Sequence, residues 1–132
     1  MTAFLKPILA THFAWLANEL QAIPHFRGQL AVGAWANDHG LAVGYLSWSL
    51  DHDPAAETVD LVLAVSVPTP AARRAAVTFD LLWSDGWLIA QFIDQALSFD
   101  SPEALAGQLD ALVAGRRAVV IETMGRALDG EL

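Results

Sequence analysis

The chain has 132 residues, with 55 % hydrophobic and 17 % charged residues, and we expect residues 1–132 to form one domain without extended disorder. Cysteine is absent, which excludes disulfides, thiolate metal ligands and cysteine nucleophiles. The formal net charge of −8 disfavours nucleic-acid binding, because a phosphate backbone would be repelled. We find no signal-peptide pattern and no apolar run long enough for a membrane helix, so we expect a cytoplasmic protein with no membrane partner.

The first predicted element is a helix over residues 2–22. Thr2 can cap its start, and Pro24 prevents its continuation. Four leucines and one histidine recur at three- and four-residue steps: Leu5, Leu9, His12, Leu16 and Leu20. This wide apolar stripe predicts a well-buried helix.

Residues 28–50 are predicted to form a hairpin around the turn at 37–40. Gly40 suits the left-handed bulge position that closes such a turn. Pairing Asn37 with Leu41 sets the strand register, which places Leu30 opposite Trp48, Val32 opposite Leu46 and Gly33 opposite Tyr45.

Three further strands are expected between residues 58 and 97. Residues 58–67 alternate cleanly between apolar and polar positions, and prolines follow. Residues 76–97 form a second hairpin around Asp85-Gly86. The predicted register sets Asp80 opposite Gln91 and places three residues, Phe79, Leu81 and Trp83, opposite Phe92, Ala90 and Leu88.

The C-terminal third is predicted to be helical. Ser101-Pro102-Glu103 is typical of a helix start, and Gly115 ends that helix. Residues 116–128 fit a short strand or a second helix, and we favour the helix. The expected fold class is therefore α+β: an N-terminal helix, a five-stranded antiparallel meander and one or two C-terminal helices.

Motifs for catalysis and for metal or cofactor binding are missing from the sequence. No histidine spacing typical of a metal site, nucleophile elbow or phosphate loop occurs. The carboxylates of Asp51-His52-Asp53 could hold a cation or raise the pKa of a base. Acids in a short polar loop before a proline, however, are usually turn residues. We expect no catalytic residue, metal or cofactor, which favours a protein that is not an enzyme.

One face of the predicted sheet mixes acids with large apolar groups. It holds Asp60, Asp80, Ser84 and Gln91 together with Val62, Leu82, Trp87 and Ile89. A fully solvated surface does not have this composition. Either a helix covers this face in part, or a partner does.

The chain resembles small bacterial proteins that neutralise a toxin, the immunity proteins of toxin–immunity pairs. The resemblance lies in size, acidity, lack of cysteine and helix–meander–helix order. It implies a binding protein that occludes a basic protein partner. The expected partner-binding residues are five acids and one exposed aromatic residue, namely Asp38, Asp51, Asp53, Glu57, Asp60 and Trp87.

Two alternatives stay open. The first is a small-molecule binder or small enzyme with a pocket between the sheet and the first helix, lined by His12, Trp15 and Tyr45. The second is a self-associating structural domain, a homodimer joined through the mixed sheet face.

Overall fold

The computed structural model describes residues 2–23, 28–49, 58–69, 71 and 73–131. A single 3-10 turn, Ala3–Leu5, precedes eight elements: α1 (Lys6–Gln21), β1 (Leu30–Ala36), β2 (Leu41–Ser49), β3 (Thr58–Ser66), β4 (Arg74–Trp83), β5 (Leu88–Ser98), α2 (Pro102–Ala114) and α3 (Arg117–Leu128). The strands form one antiparallel sheet in the order β1-β2-β3-β4-β5. The predicted α+β fold is confirmed, and the ambiguous stretch at 116–128 is helical.

The first hairpin has the register that its turn predicts. Leu30 pairs with Trp48, Val32 with Leu46 and Gly33 with Tyr45. Gly40 takes the left-handed conformation, with φ of +84°, and a Cβ at that position would collide with the carbonyl group of Val67. The turn therefore requires glycine for its backbone angle and for the space beside it.

The second hairpin departs from its predicted register. Asp80 pairs with Gln91 and Leu81 with Ala90, as expected, but Phe79 pairs with Ile93 and Leu82 with Leu88. Two bulges leave Phe92 and Ile89 as extra residues on β5. Each extra residue adjoins another apolar residue, and a bulge lets both members of such a pair turn toward the core. The prediction that Phe92 lies opposite Phe79, and Ile89 on the mixed face, was wrong for this reason.

The core lies between the three helices and one face of the sheet, which we call the inner face. Phe13 of α1 lies directly over Gly44, where a Cβ would be 2.6 Å from its ring. The ring of Phe79 is 5.9 Å from that of Phe13 and 5.4 Å from that of Phe92. Phe79 is fully buried, whereas Phe92 is only partly buried at its bulge.

The helix ends use different stabilising groups. Ser101 caps α2 as predicted, because its Oγ accepts a hydrogen bond from the backbone N–H of Ala104 at 3.1 Å. Thr2 makes no such cap. Its single hydroxyl hydrogen is shared instead between the carbonyl oxygens of Asn37 and Leu41, which lie 3.4 and 3.2 Å from Oγ1. Thr2 therefore ties the start of the chain to the β1–β2 turn.

Candidate functional site

The outer face of the sheet lies opposite the three helices and is the strongest candidate for a binding surface. Gly44 faces α1, so its neighbour Tyr45 points to the outer face. The strand register then places one set of side chains together on this face: Trp35, Val43, Tyr45, Asp60, Val62, Asp80, Leu82, Leu88 and Asp94. All three helices belong to the core on the inner face. This outer face corresponds to the predicted mixed face, and in the part of the chain that the structure describes no helix covers it.

The β1–β2 half of the outer face is aromatic. Trp35 is 42 % exposed and Tyr45 is 37 % exposed. The Tyr45 ring lies over Gly33, where an added Cβ would be only 2.6 Å from its hydroxyl oxygen. Val62 is the cross-strand neighbour of Tyr45 on β3. Glycine at position 33 thus fixes where this aromatic surface lies.

The β3–β5 half of the outer face is acidic. Asp80 is the cross-strand neighbour of Val62 on β4, so Tyr45, Val62 and Asp80 lie in one row across three strands. The side-chain amide of Gln91 donates a hydrogen bond to the Asp80 carboxylate at 2.9 Å. Asp60 accepts a hydrogen bond from the Ser47 hydroxyl at 2.6 Å. Both donors are neutral, so they orient the carboxylates and leave their charge in place.

The charge of this half is hardly compensated within the sheet. Asp94 adds a third carboxylate at an outer-face position, beside Thr78. Among the described residues, the only basic residue on this face is Arg74, at the far end of β4 and paired with Ser98. A cation approaching the outer face therefore meets a negative region next to an aromatic one.

The structure separates the predicted partner-binding residues. Asp60 lies on the outer face, and Trp87 lies in the β4–β5 turn with 73 % of its surface exposed. Asp38 lies in the β1–β2 turn, which a meander places at the opposite end of the sheet from the β4–β5 turn. The remaining three acids, Asp51, Asp53 and Glu57, are outside the described residues.

A second polar cluster joins the three helices around His12. Nε2 of this histidine is 2.7 Å from Oδ1 of Asp110 on α2. Its Nδ1 lies 3.2 Å from Nε and 2.9 Å from Nη2 of Arg117 on α3. The guanidinium group of Arg117 also stacks 4.4 Å from the centre of the Trp15 ring. His12 is only 2 % exposed, whereas Asp110 is 65 % exposed.

The hydrogen bonds assign the protonation of His12. A guanidinium group can only donate, so Nδ1 must accept and the proton resides on Nε2, which donates to Asp110. The imidazole is therefore neutral. Burial lowers the pKa of His12; the hydrogen bond to Asp110 raises it, and the nearby charge of Arg117 lowers it further. With both nitrogens engaged, this histidine has no free position from which to act as a base.

The residues of the predicted pocket do not come together. His12 and Trp15 share Arg117 on the helical side of the sheet. Tyr45 lies on the outer face, with the sheet between it and α1. These three side chains therefore do not line one pocket between the sheet and the first helix.

Several residues of both clusters were absent from the sequence-based site predictions. Trp35 and Asp80 could have been included, because the predicted hairpin registers already place them on the faces of Tyr45 and Gln91. Asp110 and Arg117 are 98 and 105 residues from His12. No local pattern could connect them to it.

Comparison of the chain with protein-family models, with curated proteins and with solved structures found no match. None of the helices in the described ranges is long and apolar enough to cross a bilayer. Within those ranges, no three His, Asp or Glu side chains are grouped so that they could hold a metal ion. The outer face and the His12 cluster are therefore the features of the described residues that bear on function.

Proposed function

We propose that this protein is a non-enzymatic binding protein that occludes a basic protein partner through the outer face of its sheet. The observation that carries the proposal is the row of Tyr45, Val62 and Asp80, with Asp60 diagonally beside it, which no helix covers in the described part of the chain. Aromatic groups next to oriented carboxylates can receive lysine or arginine side chains, by stacking and by charge-assisted hydrogen bonds.

The negative charge of the outer face favours a different protein, rather than a second copy of this chain, as the partner on this surface. Two copies of the chain meeting face to face would bring Asp60, Asp80 and Asp94 of each copy together, and like charges across an interface are unfavourable. A basic protein gains electrostatic attraction from the same carboxylates. The net charge of −8 extends that attraction to longer range and speeds the encounter.

The particular role we propose is that of an immunity protein in a bacterial toxin–immunity pair, acting in the cytoplasm. Small size, acidity and a sheet that presents its outer face suit a protein that blocks a basic, nucleic-acid-directed toxin. Occlusion of this kind needs no catalytic group. The engagement of both His12 nitrogens speaks against the enzyme alternative.

The test begins with purification of bound proteins from the native host, followed by kinetics with the purified partner. We expect a basic partner whose association rate falls steeply as salt rises from low to physiological concentration. Asp80→Lys and Asp60→Lys should each reduce the association rate about tenfold at low salt.

The matched control is Glu122→Lys, which makes the same change of charge at an exposed position on α3, away from the outer face. It should have a much smaller effect. A neutral or acidic partner, salt-independent association, or an equal effect of Glu122→Lys would overturn the proposal.

A further inference from the structure

β1 forms an open edge of the sheet. It pairs with β2 alone, and the backbone N–H of Asn37 and the carbonyl of Gln29 both bond to that strand. Since successive residues of a strand direct these groups to opposite sides, the even-numbered residues direct theirs away from β2. These residues are Leu30, Val32, Ala34 and Ala36. In the described part of the chain, no strand pairs with them.

The other edge of the sheet is protected against pairing. β5 has two bulges, at Ile89 and Phe92. The Nε of Arg116 donates to the carbonyl oxygen of Phe92 at 3.0 Å, and Asp94 adds a charge. Bulges, charges and covering side chains are the usual means of blocking an edge strand. Within the residues that the structure describes, β1 shows no such protection: its register with β2 is unbroken, and its seven residues include no charge and no proline.

The sequence of β1 is complementary to itself when reversed. An antiparallel copy centred on Gly33 places each larger side chain opposite a small one. Leu30 faces Ala36, Ala31 faces Trp35, and Val32 faces Ala34. The outward N–H and C=O groups of Val32 and Ala34 then pair across the centre, which is the arrangement that an antiparallel ladder requires.

We infer that β1 pairs with β1 of a second copy, so that two chains form one ten-stranded antiparallel sheet. The lack of charge favours this occupant. A basic partner would find no carboxylate on Leu30–Ala36, whereas two copies of this strand can meet without any like charges facing each other. Val32 is 40 % exposed on the inner side and Trp35 42 % exposed on the outer side, so both sides of the junction have apolar surface to bury. This pairing is independent of the proposed partner.

Apart from Trp35, which lies at the junction, the symmetry leaves the outer face free. The two-fold axis of an antiparallel strand pair runs perpendicular to the sheet, so the outer faces of both copies point to the same side. A seven-residue edge is about 24 Å long, which makes the junction small. We therefore expect a dimer that dissociates on dilution.

Sedimentation velocity over a range of protein concentrations tests the pairing. Each copy carries a net charge of −8, so added salt should strengthen the dimer, the opposite of its effect on a basic partner. Val32→Lys should give a monomer, because it brings like charges close together across the two-fold axis. Gln95→Lys adds the same charge at an exposed position on β5 and should leave the dimer intact.

A second measurement tests the register and does not depend on a variant that lowers affinity. Because the chain has no cysteine, the double variant Ala31→Cys with Trp35→Cys introduces the only thiols. These positions face each other across the junction as a non-hydrogen-bonded pair, so mild oxidation should produce a covalent dimer. Each single variant should remain uncrosslinked. A monomer at all concentrations, a dimer that persists unchanged in Val32→Lys, or crosslinking by either single variant would overturn the inference.

Discussion

Arg117 donates two hydrogen bonds to one nitrogen of His12, through Nε at 3.2 Å and Nη2 at 2.9 Å. The other nitrogen donates to Asp110, so a single imidazole links α1 with α2 and α3. Protonation of Nδ1 would remove the acceptor for both bonds and place a second positive charge against the guanidinium group. The helical layer therefore depends on His12 staying neutral.

The first prediction concerns acid. The pKa of His12 is lowered in the folded protein, chiefly by burial, so between that value and about 6.5 the unfolded chain binds the proton more readily. The stability that the protein gains from neutral His12 is complete above about pH 6.5 and is lost as the pH falls through the pKa of His12 in the folded protein. The free energy of unfolding, measured by urea titration between pH 7.5 and 5, should fall by at most about 1.4 kcal/mol per pH unit from this group.

Two substitutions separate His12 from other titrating groups. Gln can donate to Asp110 and accept from Arg117 without titrating, so His12→Gln should flatten the pH dependence in this range. Arg117→Met should raise the pKa of His12, followed by NMR, because a nearby positive charge is removed. A pKa that falls in this variant would contradict the assigned contacts.

The second prediction concerns the two neighbouring aromatic rings of the core. Phe79→Ala should cost about 3–5 kcal/mol in the free energy of unfolding, because it leaves a cavity beneath Phe13 in the middle of the sheet. Phe92→Ala should cost clearly less, since its ring is only partly buried at the bulge. Equal denaturation midpoints for the two variants would show that the bulge is misplaced.

The third prediction compares two turn glycines that share a backbone conformation. Gly40 has φ of +84° and Gly86 has φ of +90°. Alanine at Gly86 meets no neighbouring atom, so Gly86→Ala should cost about 1–2 kcal/mol from the left-handed backbone alone. Gly40→Ala should cost more, because its Cβ also meets the carbonyl group of Val67. Thermal unfolding of both variants measures the difference, and a smaller loss at Gly40 would contradict the close approach.

The two hairpins show which parts of the fold local sequence determines. In the first, the requirement for Gly40 in the turn and the fit of Tyr45 over Gly33 both select one register, and that register is observed. In the second, Asp85-Gly86 fixes the turn but leaves the strand free to bulge. Phe92 and Ile93 are both apolar, so either can face the core, and only packing against the helices decides between them.

The functional clusters depend on contacts that no local pattern encodes. The spacing within α1 predicts that His12 is buried, and it is. Its partners Asp110 and Arg117 lie on two other helices, and their approach depends on how these helices pack. Thr2 is a case in which the local pattern predicts the wrong contact. The pattern predicts that its hydroxyl caps the first helix, but the carbonyl groups of the distant β1–β2 turn accept its hydrogen bond instead.

The Arg116 side chain that covers the backbone of β5 sets a limit on assembly. A sheet open at both edges adds copies without end and grows into a fibre. With β5 bulged and its Phe92 carbonyl occupied, growth has only one direction, and it stops once two β1 strands have met. Arg116→Ala would remove the donor from the Phe92 carbonyl and so weaken one part of this protection, while the two bulges and Asp94 would still limit strand addition at β5.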